Sequence, residues 1–115
     1  MLLLGLDLGT SSAKALLLDA SGAVRGEASA GYAVASPRPG WAESDPEAWW
    51  HAAGVAVRRA AGGRAGRVTA LGLSGQMHGV VLADAGGGPL RPAVLWPDLR
   101  AEREAEAWRA LPTAL

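Results

Sequence analysis

Cysteine is absent from this 115-residue sequence, and histidine occurs only twice. The absence of cysteine excludes disulfide bonds and metal sites built on thiolates. With only two histidines, we do not expect a zinc site. Lysine is nearly absent as well, because Lys14 is the one lysine in a chain whose other basic residues are all arginine. Its place beside a polar turn makes this lysine a candidate functional residue.

Long apolar runs and net charge are also missing. No run approaches the ~20 residues of a membrane span, and the N-terminal Met-Leu-Leu-Leu is too short for a signal sequence and lacks a basic start. Lys and Arg number 11, as do Asp and Glu, so the net charge is zero. Nothing electrostatic therefore favours nucleic acid or an acidic membrane as a partner. We expect a soluble cytoplasmic protein.

The residues that are present, 50% hydrophobic and 19% charged, are typical of a globular chain of one domain or less. Apolar runs at 2–8 and 14–19, and a looser alternation at 23–34, predict three strands. Short turns between them, such as 19–22, predict an antiparallel meander. The apolar character of the first two strands predicts that both of their faces are buried.

A helix is predicted after the Pro-rich loop at 36–41. Ser44 and Glu47 have the spacing of a capping box, and Pro46 falls in the first turn, where its missing N–H does no harm. The helix should stop at Gly62-Gly63. Within it, Trp49 and Trp50 are predicted to anchor the core rather than to form a ligand platform. His51 is assigned to the solvated side.

The second half of the chain is also predicted to consist of strands and a helix. Its pattern predicts strands at 68–74 and 79–84, a turn at 86–88, an extended piece at 92–96 and a helix over 101–111. Asp98 is the predicted N-cap of that last helix, and Glu102, Glu104 and Glu106 should form its solvated face. Three strands, a crossover helix and returning strands indicate an α/β fold with a mixed sheet.

The turn between the first two strands carries groups that suit a phosphate chain. Asp7 lies inside the first apolar run, near its end, and the residues of the turn that follow are Gly9, Thr10, Ser11, Ser12 and Lys14. Glycine lets a ligand approach the backbone, and hydroxyls, amides and a lysine bind phosphate oxygens. An acid beside such a turn makes sense if a divalent cation lies between them. No Walker or Rossmann motif is present, and a plain hairpin with a Ser/Thr-rich turn is the alternative.

A second polar loop follows the predicted strand at 68–74. Gln76, Met77 and His78 are bracketed by Gly75 and Gly79. Ligands bind at strand ends in α/β sheets, and glutamine and histidine can each donate or accept hydrogen bonds, as a hydroxyl-rich substrate requires. Met77 would pack against the carbon skeleton. The alternative is a glycine-rich turn with one exposed histidine.

The first turn resembles the phosphate loop of the actin-like ATPase superfamily. Four motifs in order resemble the N-terminal part of the FGGY carbohydrate kinases, over Leu2 to about Arg100: Asp7-Leu8-Gly9-Thr10-Ser11-Ser12-x-Lys14, Trp41-x-Glu43-x-Asp45-Pro46-x-x-Trp49-Trp50, Gly75-Gln76-Met77-His78-Gly79 and Arg91-Pro92-Ala93-Val94-Leu95-Trp96-x-Asp98-x-Arg100. The third favours the branch that acts on D-xylulose, since glycerol kinases differ there. Pro97 departs from the family, which often has Asn.

The resemblance implies an actin-like (ribonuclease H-like) fold, with an antiparallel meander in a mixed sheet and flanking helices. It implies transfer of the γ-phosphoryl of ATP to O5 of D-xylulose with Mg²⁺. Asp7 would organise Mg²⁺ directly or through water, and the nucleotide phosphates would meet Gly9, Thr10, Ser11, Ser12 and Lys14. The residues implied to bind the sugar are Gln76, Met77, His78, Asp98 and Arg100.

The resemblance also implies what this chain does not contain. Family members are several times longer, and their general base and adenine-binding domain lie downstream. Residues 1–115 are therefore expected to be the N-terminal part of the sugar-binding domain, inactive alone, and a homodimer is compatible with the sequence. Two alternatives stay open: an FGGY kinase for another ketose or polyol, and a non-catalytic actin-like module that binds sugar or nucleotide.

Overall fold

A mixed four-stranded sheet with one long helix on it forms the body of the computed structural model, which describes residues 1–111. The elements are β1 (Leu2–Leu8), β2 (Ser12–Asp19), β3 (Val24–Gly31), β4 (Glu43–Ser44), α1 (Pro46–Ala61), β5 (Val68–Gly75), β6 (Ala93–Val94) and α2 (Glu102–Arg109). The sheet order is β3-β2-β1-β5, and β4 pairs with β6 separately. The predicted α/β class and mixed sheet are confirmed.

The meander and the crossover set the register on which the candidate site depends. β1 and β2 pair antiparallel with Asp7 opposite Lys14, and β2 and β3 continue the meander. After α1 crosses over, β5 pairs parallel to β1, with Ser74 beside Asp7. The C-terminal ends of β1 and β5 therefore meet at one edge of the sheet. No helix in the described part of the chain is long and apolar enough to span a membrane.

Small side chains bring α1 close to one face of the sheet. The core cluster combines leucines and alanines of the strands with alanines of the helix: Leu2, Leu4, Ala13, Ala15, Leu17, Ala52, Ala53, Ala56 and Ala60. A Cβ at Gly26 of β3 would overlap the carbonyl oxygen of Ala60. Glycine at that position therefore allows the helix backbone to pack directly on the strand.

The prediction that the first strands are buried on both faces is wrong for the described residues. Burial alternates along β1 and β2, with Leu3 exposed between Leu2 and Leu4. β5 is more open still, and Leu73 is 71% exposed. The reason is that α1 packs on one side of the sheet only, where it contacts β1, β2 and β3.

The first helix ends as predicted but begins differently. Gly62 caps its C-terminus in the left-handed conformation, with φ 52°. At the N-terminus the cap is Asp45, whose carboxylate accepts from the Glu47 amide at 2.9 Å. The predicted cap, Ser44, instead donates to the Ala33 carbonyl and accepts from the Trp49 indole, each at 2.8 Å.

The two tryptophans of α1 have different environments. Trp49 is half-buried and packs against a second small core of Ala42, Ala93 and Leu95. Trp50 is 79% exposed, so its predicted role as a core anchor is wrong. It lines an open cavity together with Leu6 of β1 and Leu71 of β5, at the margin of the helix–sheet contact. His51 is exposed, as predicted.

Two further predictions in the second half are wrong. Residues 79–84 form no strand, because their backbone makes only isolated β-bridges, Val80 with Val94 and Ala83 with Pro89. The N-cap of α2 is Ala101 and not Asp98, whose carboxylate is held by other partners described below. The glutamates of α2 are exposed as predicted. The last residues of the predicted domain, 112–115, lie outside the described residues.

Candidate functional site

The predicted phosphate turn is a tight connection between β1 and β2. The Gly9 amide donates to the Ser12 carbonyl at 3.0 Å and closes the turn. A Cβ on Gly9 would lie 3.2 Å from that same carbonyl oxygen, which is closer than nearly all real side chains approach. A side chain at this position would therefore require the Ser12 carbonyl to shift by a few tenths of an ångström, so the turn itself favours glycine. Asp7 and Lys14 lie across from each other just before and after the turn.

Tyr32 holds this turn from behind, and the sequence pattern did not identify it. Its hydroxyl donates to the Gly9 carbonyl, and its amide donates to the Ser11 carbonyl at 3.0 Å. Burial, and then the charge of Asp7, raise the pKa of Tyr32 above its usual value. The phenol therefore stays protonated as a donor. Its only sequence signal is that it is the one tyrosine of the chain.

The second polar loop begins beside the phosphate turn. The Gln76 amide donates to the Leu8 carbonyl at 2.8 Å, one residue beyond the paired part of β5. Met77 is 70% exposed and His78 is exposed. His78 has φ 63°, a left-handed conformation that is uncommon for a residue other than glycine. The loop therefore turns sharply after Gln76 and presents Met77 and His78 to solvent.

Gln76 itself carries an unused hydrogen-bonding group. Its side-chain oxygen is buried and has no hydrogen-bond partner among the described residues. Buried polar atoms in native proteins nearly always have partners. The side chain that the sequence assigns to the sugar site is thus left with an unsatisfied acceptor at the end of β5.

A third segment reaches the same place through Trp96. Its indole N–H donates to the Thr10 hydroxyl at 3.2 Å, although the side chain as a whole is 58% exposed. Trp96 follows β6 and the buried Leu95. Residues 86 positions apart in the chain are therefore joined at the phosphate turn.

Asp98 and Arg100 lie next in this segment but are directed elsewhere. Asp98 accepts from the Ala42 amide at 2.6 Å and from the Arg100 guanidinium at 2.7 and 2.8 Å. Arg100 also pairs with Glu43 at 2.8 Å, and its guanidinium carbon lies 3.7 Å from the centre of the Trp41 ring. The hydrogen bonds from Arg100 hold the pKa of Asp98 well below its usual range, and Asp98 raises the pKa of Arg100.

Asp7 is the carboxylate at the phosphate turn that could contact a metal ion. No group of three His, Cys, Asp or Glu that could hold a metal occurs within residues 1–111. Magnesium in kinases is usually held by one or two carboxylates together with substrate phosphates and water. Asp7, at the end of β1 beside three hydroxyl residues, is a carboxylate of that kind.

Most of the sequence-predicted site residues therefore converge. Asp7, the residues of the turn, Lys14, Gln76 and the following loop lie where β1 and β5 end. Such an edge, with donors from a turn and exposed polar side chains on a neighbouring loop, suits an anion and a hydroxylated ligand side by side. Asp98 and Arg100 follow Trp96 closely in the sequence, but they do not reach this edge of the sheet. Their contacts are with Trp41, Ala42 and Glu43.

Known proteins resemble this chain in both sequence and structure. Over 102 residues it is 43% identical to the xylulose kinase of Escherichia coli, covering 88% of this chain and 21% of that protein. It is 38% identical over 114 residues to the glycerol kinase of Gloeobacter violaceus, covering 94% and 23%. The xylulose kinase structure from Rhodospirillum rubrum superposes with a TM-score of 0.87 at 35% identity, covering 96% of this chain and 23% of that one.

The chain thus spans about a fifth of the length of the curated relatives it matches, 21% in the case of the Escherichia coli protein. A family model described as the N-terminal domain of the FGGY family of carbohydrate kinases matches residues 2–114. That match covers nearly the whole chain, and the motifs at the end of β1 and after β5 lie within it. The chain belongs to the FGGY family of carbohydrate kinases.

Proposed function

We propose that this chain supplies the phosphate turn and part of the sugar site of a kinase that transfers the γ-phosphoryl of ATP to O5 of D-xylulose. The observation that carries the proposal is the contact between the two polar loops. The Gln76 amide donates to the Leu8 carbonyl at 2.8 Å, so a phosphate at the turn and a sugar at the loop would be neighbours. The 43% identity to a xylulose kinase supports D-xylulose as the acceptor.

The phosphate turn would bind the transferred end of ATP. Thr10, Ser11 and Ser12 offer hydroxyl and amide donors, and Lys14 adds a positive charge opposite Asp7. Asp7 would hold Mg²⁺ directly or through water, and that ion would neutralise phosphate charge. Phosphoryl transfer depends on positioning and charge stabilisation more than on covalent chemistry. A turn fixed by Tyr32 is suited to that task.

The second loop would bind the sugar. Gln76 and His78 can each donate to and accept from hydroxyl groups, and the exposed Met77 offers an apolar surface for the carbon chain. The left-handed backbone at His78 turns the chain sharply at this residue. The unsatisfied Gln76 oxygen would gain a donor when a sugar hydroxyl or a water approaches.

The general base that takes the sugar hydroxyl proton is proposed to lie outside this chain. The glutamates at 102, 104 and 106 are exposed on α2, where they fit a solvated face rather than a base. We therefore propose that residues 1–115 are the N-terminal part of a sugar-binding domain and do not phosphorylate xylulose alone. The predicted cytoplasmic location and homodimer stay predictions.

A substrate panel tests the choice of sugar. The full-length gene product that contains this chain is assayed for kcat/KM with D-xylulose, D-ribulose and glycerol. We expect D-xylulose to be the best acceptor, and His78→Ala to raise the KM for it. His51→Ala, which changes an exposed histidine of α1 away from the site, is the matched control and should leave kinetics unchanged. A higher kcat/KM for another acceptor would contradict the assignment.

A second candidate function is phosphorylation of glycerol or another polyol. It is favoured by the 38% identity to a glycerol kinase, close to the value for the xylulose kinases. The same panel decides between the two, since glycerol is a three-carbon triol that lacks the carbonyl group and the longer carbon chain of D-xylulose. The loop with Met77 and His78 is the feature that we expect to favour the ketose.

A further inference from the structure

Trp41, Glu43, Asp98 and Arg100 form a cluster that the proposed chemistry does not use, and we call it the arginine cluster. Its centre is the Arg100 guanidinium, which bonds Asp98 and Glu43 and stacks on the Trp41 ring. The Asp98 side chain is 1% exposed. A carboxylate and a guanidinium joined in this way are worth more than a surface ion pair, because both are shielded from water.

Asp98 has no capacity left for a sugar hydroxyl. One of its oxygens accepts from the Arg100 amide at 2.9 Å and from the side-chain Nε at 2.8 Å. The other accepts from the Ala42 amide at 2.6 Å and from Nη2 of Arg100 at 2.7 Å. Each oxygen therefore already has two donors. The expectation that this residue contacts the substrate would require one of these bonds to break.

Backbone hydrogen bonds, together with one bond from the arginine cluster, fix both ends of the segment that carries Trp96. Before Trp96, the Leu95 amide donates to the Ala42 carbonyl at 2.9 Å. After it, the Leu99 amide donates to the Gly40 carbonyl at 2.7 Å. With the Asp98–Ala42 bond, residues 95–99 are attached to residues 40–42 on both sides of Trp96. The position of the indole is thus set by contacts on its flanks.

The indole then acts on the phosphate turn. A threonine hydroxyl has one proton to donate and lone pairs that accept. Because the Trp96 N–H donates to the Thr10 oxygen at 3.2 Å, that oxygen is occupied as an acceptor and the Thr10 proton is free for an anion. The contact therefore leaves the Thr10 proton available to a phosphate bound at the turn.

We propose that Asp98 and Arg100 are positioning residues for phosphoryl transfer, which hold Trp96 against Thr10, and that Asp98 does not contact the sugar. The inference rests on the proposed kinase function. In this proposal the arginine cluster links the segment after β6 to the phosphate turn, because it holds Trp96 where the indole can bond Thr10. An Arg-to-Lys change would weaken this link, because lysine lacks the planar fork that bonds Asp98 and Glu43 together and stacks on Trp41.

The test is a double-mutant cycle in the full-length gene product with D-xylulose and Mg·ATP. Trp96→Phe keeps an aromatic ring, smaller than the indole, and removes the N–H. It should lower kcat by about three- to tenfold, the equivalent of one ordinary hydrogen bond. Arg100→Lys should lower kcat by a similar factor with an unchanged KM for D-xylulose. The double variant should lose no more than Arg100→Lys alone, because the two act through one contact. Trp50→Phe, an exposed tryptophan of α1, should behave as wild type.

Two kinetic outcomes would overturn the inference. Losses in kcat that multiply in the double variant would show that Arg100 acts independently of Trp96. A raised KM for D-xylulose in Arg100→Lys, with kcat unchanged, would indicate direct sugar binding.

If the wild-type protein phosphorylates none of the sugars, the proposed function fails, and the link is decided by ¹⁹F NMR of protein labelled with 5-fluorotryptophan. The Trp96 resonance, assigned by its loss in Trp96→Phe, should move in both Thr10→Val and Arg100→Lys. The Trp50 resonance should stay in place in both variants. A Trp96 resonance that stays in place in either variant would refute the link.

Discussion

Tyr32 shows how one side chain outside every motif can control the candidate site. Its hydroxyl and amide bond the carbonyls of Gly9 and Ser11, which are the two sides of the phosphate turn. No local pattern around Tyr32 predicts these bonds, because they join the end of β3 to a turn more than 20 residues earlier. The motif search found the groups that would touch a ligand, and missed the group that holds them.

Tyr32→Phe should therefore loosen the turn while leaving the fold intact. The free energy of unfolding should fall by about 1 kcal/mol, since one hydrogen bond is lost and the Gly9 carbonyl is left without its donor. Kinase activity of the full-length gene product should also fall, and by more than the loss of stability alone would cause. The reason is that the hydroxyl and amide donors of the phosphate turn are no longer held in place. Urea unfolding and the KM for ATP measure the two effects.

The control for this experiment is Ser36→Ala, which removes an exposed side-chain bond to the Arg38 carbonyl. Stability and activity should both be unchanged in that variant. Equal effects of Tyr32→Phe and Ser36→Ala would contradict a role for Tyr32 in holding the turn.

The carboxylate of Asp98 predicts a dependence of stability on pH. Hydrogen bonds from Arg100 lower its pKa in the folded protein, so the unfolded chain binds its proton more readily. The stabilisation is therefore complete above the ordinary aspartate pKa of about 3.9 and is lost as the pH falls below it. Asp98→Asn should cost about 2 kcal/mol at neutral pH, as expected for a bond between charged groups.

Urea midpoints of the wild type and Asp98→Asn, compared between pH 7 and pH 3, measure this effect. The gap should narrow as the pH falls toward 3, because the unfolded wild-type chain then binds a proton at Asp98 that the folded protein does not bind. The Asp19 carboxyl also has a lowered pKa, owing to bonds from Ser21 and Arg25, but it contributes equally to both proteins. A gap that is the same at every pH would contradict the role given to the Asp98 charge.

The elements could be predicted where the signal is local. The C-terminus of α1 follows from Gly62, which adopts the left-handed cap conformation. Its N-terminus was misplaced by one residue, because Ser44 and Asp45 both suit a cap and only the long-range partners of Ser44, Ala33 and Trp49, decide between them. The prediction of a strand at 79–84 was wrong for a related reason. The apolar pattern there is that of a strand, but within the described residues no neighbouring strand pairs with it continuously.

The packing of α1 on β3 gives a prediction for these elements. Gly26→Ala should destabilise the protein by about 3 kcal/mol, the upper part of the range for overpacking, because the added methyl meets the backbone carbonyl of Ala60 and neither can move easily. Thermal or urea unfolding measures the loss.

Gly66→Ala is the matched control, since a Cβ there meets nothing within 4 Å and φ lies outside the left-handed region. It should be neutral or slightly stabilising. A Gly26→Ala variant as stable as Gly66→Ala would show that α1 does not pack as closely on β3 as described.

For the molecule as a whole, the sequence predicts which residues belong to the candidate site better than it predicts the long-range contacts that bring them together. The turn after β1 and the loop after β5 are recognisable as separate motifs, and the parallel pairing of β1 with β5 explains why they meet. The bond between Trp96 and Thr10, and the cluster around Arg100, depend on long-range chain geometry that no spacing encodes. The exposed face of the sheet was equally unpredictable from strands whose apolar runs predict burial on both sides.

The central claim is that this chain carries part of the active site of a D-xylulose kinase. A coupled ADP-release assay with D-xylulose and Mg·ATP, run on the full-length gene product and on the 115-residue chain side by side, tests it most directly. The account predicts turnover by the full-length product and none by the chain. Turnover by the chain alone would contradict the placement of the general base outside it. A full-length product silent with D-xylulose would contradict the assigned reaction.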